Sequence, residues 1–207
     1  MSDIYFPSKV FEQAVHEIGK LPGIGKKTAV RLAMHILKQN STYAHQLGEA
    51  IITLRDTIQY CKTCHTMSDN ELCEICANPL RDDSVICIVE QIQDVLAIEN
   101  TGQYRGLYHV LGGVISPVNG VGIHDLTIDL LLTRVANSKI SEIIFALPVT
   151  IEGDTTSFYI YKKLQEYSIQ VSALSRGVSV GNELEYTDEA TLARSIRDRI
   201  AYTGIQK

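Results

Sequence analysis

Two close cysteine pairs, Cys61 with Cys64 and Cys73 with Cys76, constrain this 207-residue chain more than any other feature. Two residues between paired cysteines let a tight turn aim both sulfurs at one point, and the segment from His65 to Leu72 returns the second pair to it. The spacing predicts a tetrahedral zinc site. Four thiolates fill the coordination shell and leave no position for water, so the ion is expected to hold a fold together and to do no chemistry. A redox dithiol usually has a single pair, and two disulfides imply an oxidising compartment. The fifth cysteine, Cys87, lies in the apolar run from Ser84 to Glu90 and reads as a small core residue.

Nothing in the sequence favours an oxidising compartment. Met1-Ser2-Asp3-Ile4-Tyr5 lacks a basic segment followed by an apolar core, and no stretch approaches the roughly 20 apolar residues that cross a bilayer. The expected location is the cytoplasm, without membrane partners. A composition of 45% apolar residues can bury a core, while a net charge of −5 argues against a surface that binds nucleic acid all over. The charge is uneven, however. Residues 1–40 carry six Lys or Arg against three acids, a net +3, whereas residues 41–80 are at −3 and residues 81–207 at −5. A phosphate-binding face is therefore expected at the N-terminus.

Apolar periodicity divides the chain. Ser8 is an expected N-cap for a helix to Gly19 with Val10, Phe11, Val15 and Ile18 on one face. Leu21-Pro22-Gly23-Ile24-Gly25 breaks it, and a second helix is expected from Lys26 to Lys38. Asn40-Ser41 caps a third, which carries Leu47, Ile51, Leu54 and Ile58 into the cysteine loop. After Pro79 short apolar runs alternate with helical ones: strands at 85–89, 108–111, 143–147 and 169–173, helices at 94–100, 126–136 and 156–167. Apolar strands separated by helices predict a parallel sheet covered on both faces. A closing helix is expected from Asp188 to Ile200, with Thr187 or Asp188 as its cap. The expected fold class is thus multidomain α plus α/β: helical domain 1–58, cysteine finger 59–78, α/β domain 79–176, and a C-terminal loop and helix 177–207.

Four stretches could carry function. Between the first two helices, Gly23 and Gly25 form a glycine hairpin, and Lys26 and Lys27 open the next helix, where unpaired amides and the positive dipole end suit a phosphate. This resembles the helix-hairpin-helix that grips a DNA backbone without reading bases, and DNA is preferred to an ordinary helical hairpin. Glu90 ends the first strand of the α/β domain, and Glu152-Gly153-Asp154 follows the third, at strand ends where open parallel sheets bind ligands. Three such acids suit Mg²⁺ and resemble the Toprim domain of topoisomerases, primases and some nucleases; they serve equally as solvated loop residues or helix caps. The glycine-rich run 111–122 lacks the phosphate-loop lysine and reads as a connector. Segment 175–186 suits self-association or packing, and Tyr104 and Tyr108 read as core in preference to a base-stacking surface.

Helix-hairpin-helix, four-cysteine knuckle and Toprim-like domain, in that order, resemble the bacterial recombination-mediator family RecR over nearly the whole chain. The matching stretches are Leu21-Pro22-Gly23-Ile24-Gly25, the cysteine quartet, Tyr108-His109-Val110-Leu111-Gly112-Gly113, Glu152-Gly153-Asp154-Thr155-Thr156 and Leu184-Glu185-Tyr186. One departure is Pro148-Val149, where the family often has Asn-Pro. The resemblance implies no catalysis. It implies a homo-oligomeric, commonly tetrameric ring built through the N-terminal helices and C-terminal segments, which binds double- and single-stranded DNA at the nucleoid. With RecO and RecF, such a ring helps to load recombinase on gapped DNA. Lys20, Gly23, Gly25, Lys26, Lys27 and Arg31 would then face DNA, and Glu90, Glu152 and Asp154 would contact RecO or Mg²⁺. The rival reading is a Mg-dependent Toprim nuclease that uses the same three acids.

Overall fold

A computed structural model of the chain describes residues 5–175, 177–178, 181 and 183–199. They fall into two compact units, Met1–Ile58 and Gln59–Lys207.

The first unit holds α1 (Lys9–Ile18), α2 (Lys26–Lys38) and α3 (Ser41–Thr57). Side-chain oxygens start two of them as expected, with Ser8 accepting from the Phe11 amide at 3.4 Å and Asn40 from that of Tyr43 at 2.8 Å. Gly23, at φ 77°, turns the chain between α1 and α2 in the left-handed region that an L side chain avoids. Val15, Ala29 and Ala33 are the buried centre, with Phe11, Ile18 and Ile24 packed on them. Small residues on α2 let the two helices approach closely. The expected burial of α3 does not occur within the unit. It buries no residue, and Ile51 and Leu54 are 60% and 61% exposed, because α1 and α2 close their core on each other.

The second unit opens with a hairpin of β1 (Gln59–Tyr60) and β2 (Met67–Ser68), followed by a single helical turn, α4 (Glu74–Ala77). A parallel sheet of β3 (Asp82–Val89), β4 (Gly106–Val110), β5 (Glu142–Ala146) and β6 (Gln170–Ala173) follows, in the order β4-β3-β5-β6. Its helices are α5 (Ile92–Glu99), α6 (Ile128–Asn137), α7 (Ile151–Leu164) and α8 (Glu189–Arg197). Alternation along β3 separates two cores. Ile86 and Ile88 join Ile143, Leu131 and Ile160 beneath α6 and α7, whereas Cys87 and Val89 join Val95, Tyr108 and Val110 beneath α5. Cys87 is therefore the core residue expected, and burial pushes its thiol up to about 12.

Two elements differ from expectation. α7 begins at Ile151, not Thr156, because Thr150 caps it by accepting from the Gly153 amide at 3.1 Å. Glu152 and Asp154 thus sit in a helical first turn, where their charge suits the dipole, and the capping role left open for the acids falls to Thr150. The run 111–122 carries an ordered turn, Pro117–Asn119, and a bridge between Ser116 and Val121. At the C-terminus Asp188 caps α8 as expected, while Arg176, Ser179, Val180 and Asn182 of the segment 175–186, and Ile200 at the expected helix end, lie outside the described residues.

Candidate metal centre and nucleic-acid interface

The cysteine quartet converges. Its four sulfurs lie within 4.8 Å of one another, with Cys61, Cys64 and Cys73 buried. A tetrahedron of Zn–S bonds of about 2.3 Å has S···S edges of about 3.8 Å, so the cluster accepts the ion with small adjustment. Local backbone bonds aim the ligands. The Cys61 amide donates to the Thr66 carbonyl at 2.8 Å, Lys62 to Glu71 at 2.9 Å, and the Cys73 amide to the Cys61 sulfur at 3.4 Å. His65 takes the left-handed turn after Cys64 at φ 63° and stacks on Tyr60 with ring centroids 4.7 Å apart, outside the ligand set. Hydrogen bonds from Cys64 and Cys76 push the Cys73 thiol down, while Cys64 is driven up by its bonds to Cys73 and Cys76 and by burial. Crowded thiols cannot all ionise without a cation, and zinc is what the donor set suits.

The knuckle also closes an edge of the sheet. β4 is an outer strand, and its Val110 amide donates to the Cys64 carbonyl at 2.8 Å. Ile75 packs against the core under α5. Arg81, just beyond the knuckle, forms a bidentate pair with Glu99, and Glu99 also accepts from the Tyr108 hydroxyl at 2.7 Å. The Arg81 guanidinium holds the Glu99 carboxyl below its ordinary range. Tyr104 donates to the Leu107 carbonyl at 2.8 Å, so both tyrosines are core residues. Sequence reading missed this network, since Arg81, Glu99 and Tyr108 are far apart in the chain and show no spacing.

The acids stand at the sheet's switch point. β3 is flanked by β4 and β5, so the connections leaving β3 and β5 diverge at their C-terminal ends. Glu90 leaves β3 half-buried, and Glu152 and Asp154 lie in the first turn of α7 after β5. Gly153 between them is obligatory, because a Cβ there would lie 2.1 Å from the Pro148 carbonyl oxygen. Among the described residues, the one group of three or more His, Cys, Asp or Glu side chains with converging ligand atoms is the cysteine quartet. Asp154 instead faces the Arg194 guanidinium at 3.6 Å.

The basic hairpin is open. Gly25 precedes α2 without a side-chain cap, and the first turn of α2 holds no acid. Lys26, Lys27 and Arg31 are exposed, and among the described residues none is paired with a carboxylate. Two lysines at a helix N-terminus oppose the dipole, an arrangement that an anion relieves. Lys20 differs, since it pairs with Glu17 at 2.8 Å. Even so, Lys20 and Lys26 line one cleft of about 390 Å³ beside α1.

Fold and site together define a zinc-stapled helix-hairpin-helix protein with an α/β domain of Toprim type. Family models agree: RecR helix-hairpin-helix over 11–55, the RecR four-cysteine zinc finger domain over 58–78, Toprim domain over 84–175 and RecR C-terminal over 177–200. The chain is 58% identical over 199 residues to the recombination protein RecR of Bacteroides fragilis, covering 96% of the chain and 97% of the relative. Its likeness to that of Amoebophilus asiaticus is 58% over 197 residues, with 95% and 98% covered, and to that of Flavobacterium johnsoniae 54%, with 95% and 96%. The chain belongs to the RecR family of recombination proteins, and its role lies in recombination repair.

Proposed function

We propose that the protein is a mediator without catalytic activity, a sequence-independent clamp on double- and single-stranded DNA. In this reading it acts with RecO and RecF to load recombinase on gapped DNA. The observation that carries the proposal is the first turn of α2, uncapped, free of acid and headed by Lys26 and Lys27. Amides, dipole and lysines there suit a backbone phosphate and carry no means of reading bases. A homo-oligomeric, tetrameric ring multiplies this modest patch into a positive bore while the acidic remainder stays outside. The bare stripe of α3 and the apolar surface at Val10, Met34 and Leu37 support assembly through the helical unit. Glu90, Glu152 and Asp154 offer RecO an acidic contact. The proposed location is the cytoplasm, at the nucleoid; among the described residues no helix is long and apolar enough to cross a membrane.

Fluorescence anisotropy on labelled gapped and single-stranded DNA tests this reading. The parent protein is expected to bind all sequences alike and to lose affinity steeply between about 50 and 200 mM salt. Lys26→Glu with Lys27→Glu is expected to weaken binding at least about tenfold. Unchanged binding removes the hairpin from the interface. Incubation with Mg²⁺ or Mn²⁺ is expected to leave the DNA intact, and cleavage that disappears in Glu90→Gln would overturn the mediator reading in favour of a nuclease.

A further inference from the structure

A basic recess lies in the α/β unit, where β3 and β4 begin, at the end of the sheet opposite Glu90, Glu152 and Asp154. Three segments build it. The bond from the Val110 amide to the Cys64 carbonyl holds the knuckle loop along β4 and brings Thr63 to the same recess as Leu107. The Ser141 amide donates to the Ser84 carbonyl at 2.8 Å, which draws the chain after α6 against the start of β3. Together they leave a cleft of about 190 Å³, lined on its apolar side by buried Leu107 and Ile140. Its cations are Arg134, in the last turn of α6, and Lys139 just beyond it. Arg134 is half-buried, and its Nη1 donates to the Tyr108 carbonyl at 2.8 Å. Among the described residues neither cation has a carboxylate partner, and Asp83, which also lines the cleft, is in no ion pair and is outnumbered. A guanidinium withdrawn this far from water is ordinarily paired, because its desolvation is otherwise uncompensated. The negative end of α6 favours cations here, yet the bond that Arg134 makes goes to the strand.

We propose that this cleft binds one phosphate group of a nucleic acid, so that the α/β unit holds DNA at a point separate from the hairpin. The bond to Tyr108 fixes the Arg134 guanidinium and leaves its remaining N–H groups for an oxyanion. Lys139 adds a second charge, and the hydroxyls of Thr63 and Ser138 offer further donors to the same recess. The volume lies below the roughly 300 Å³ at which sites for larger ligands begin, so a phosphate group enters and a whole nucleotide does not. That group is either a link of the backbone or the 5′-phosphate that ends a strand at a gap, and both present the same oxygens. The inference rests on the reading of the chain as a DNA binder. It adds a contact in the other compact unit, one wall of which belongs to the zinc knuckle.

The test is fluorescence anisotropy of the zinc-loaded full chain on two gapped DNAs, alike except that one carries a 5′-phosphate at the gap and the other a 5′-hydroxyl. Arg134→Gln is expected to weaken binding to the 5′-phosphate DNA at least about tenfold, the lower range for a lost charge-assisted bond. Lys139→Gln is expected to weaken it about threefold. Lys139 is exposed and unpaired among the described residues, so this variant keeps the test alive should Arg134→Gln fail to fold. Lys163→Gln removes the same charge from α7 and is expected to bind as the parent does. Loss confined to the 5′-phosphate DNA supports a strand end in the cleft, and equal loss on both DNAs supports the backbone. Parent-like binding by Lys139→Gln overturns the proposal, as does equal weakening by Lys163→Gln, which would mean that overall charge is all that counts. If Lys26→Glu with Lys27→Glu weakens binding and Lys139→Gln does not, the cleft falls and the hairpin stands; the reverse result removes the hairpin and keeps the cleft. A parent that binds neither DNA overturns both.

Discussion

Removing zinc should unfold the knuckle and spare the sheet. Ordering residues 59–78 costs about 20 kcal/mol at about 1 kcal/mol per residue. Backbone bonds from Cys61 to Thr66, Lys62 to Glu71, His65 to Cys61, Ala77 to Cys73 and Val110 to Cys64 return about 5 kcal/mol. Half-buried Ile75 adds about 1–2 kcal/mol, and the remaining buried apolar side chains of the knuckle are the cysteines themselves. A deficit of about 13 kcal/mol remains, inside the range of about 10–16 kcal/mol that a structural zinc supplies. The core beneath α6 and α7 contains no knuckle residue. The assay is hydrogen exchange on protein stripped by chelation, with metal loss confirmed by elemental analysis. Amides across 59–78 should lose protection together with Val110, whose acceptor is the Cys64 carbonyl, while β3 and β5 keep theirs. Metal-free protein in which Cys61, Lys62 and His65 stay protected would refute the reasoning.

Gly153→Ala places a methyl against the Pro148 carbonyl oxygen, backbone that cannot swing aside. It is expected to cost about 3 kcal/mol and to lower Tm by roughly 6–12 °C, read by calorimetry; a Tm within about 1 °C of the parent contradicts the close approach. His109 is fully buried, and Nε2 lies 3.0 Å from both oxygens of Thr127, so it carries the proton there. Among the described residues Nδ1 has no hydrogen-bond partner. Burial pushes this imidazole down to about 4 from an ordinary 6.5, so the unfolded chain takes up a proton first as pH falls. Stability is complete above about pH 6.5 and declines by roughly 3 kcal/mol as pH drops toward 4. Urea titrations across that window should show a shallower decline in His109→Gln; identical slopes would contradict the assignment.

The parts legible in the sequence were those set by local chemistry. Ser8, Asn40 and Asp188 cap the expected helices because a short polar side chain before an apolar period has few other uses. The cysteine spacing announced its site, since four soft ligands in close pairs imply convergence. The parts that were not legible depend on residues that meet only after folding. Glu152-Gly153-Asp154 stood outside the helix expected at 156–167, yet Thr150 caps a helix that includes them and the approach to Pro148 requires the glycine. The apolar period of α3 announced a buried face, but periodicity cannot say whether its own unit supplies the cover. Arg194 carried no signal at all. Its meaning comes from the position of α8 beside Asp154, a contact 40 residues distant in sequence.

The central claim is a ring that closes on DNA through its hairpins, and mass in solution addresses it most directly. Sedimentation or light scattering of the zinc-loaded protein, alone and with gapped DNA, should give a multiple of the 23.0 kDa chain, four in this account, with DNA added to the assembled species. A strict monomer that still binds DNA tightly would contradict the clamp.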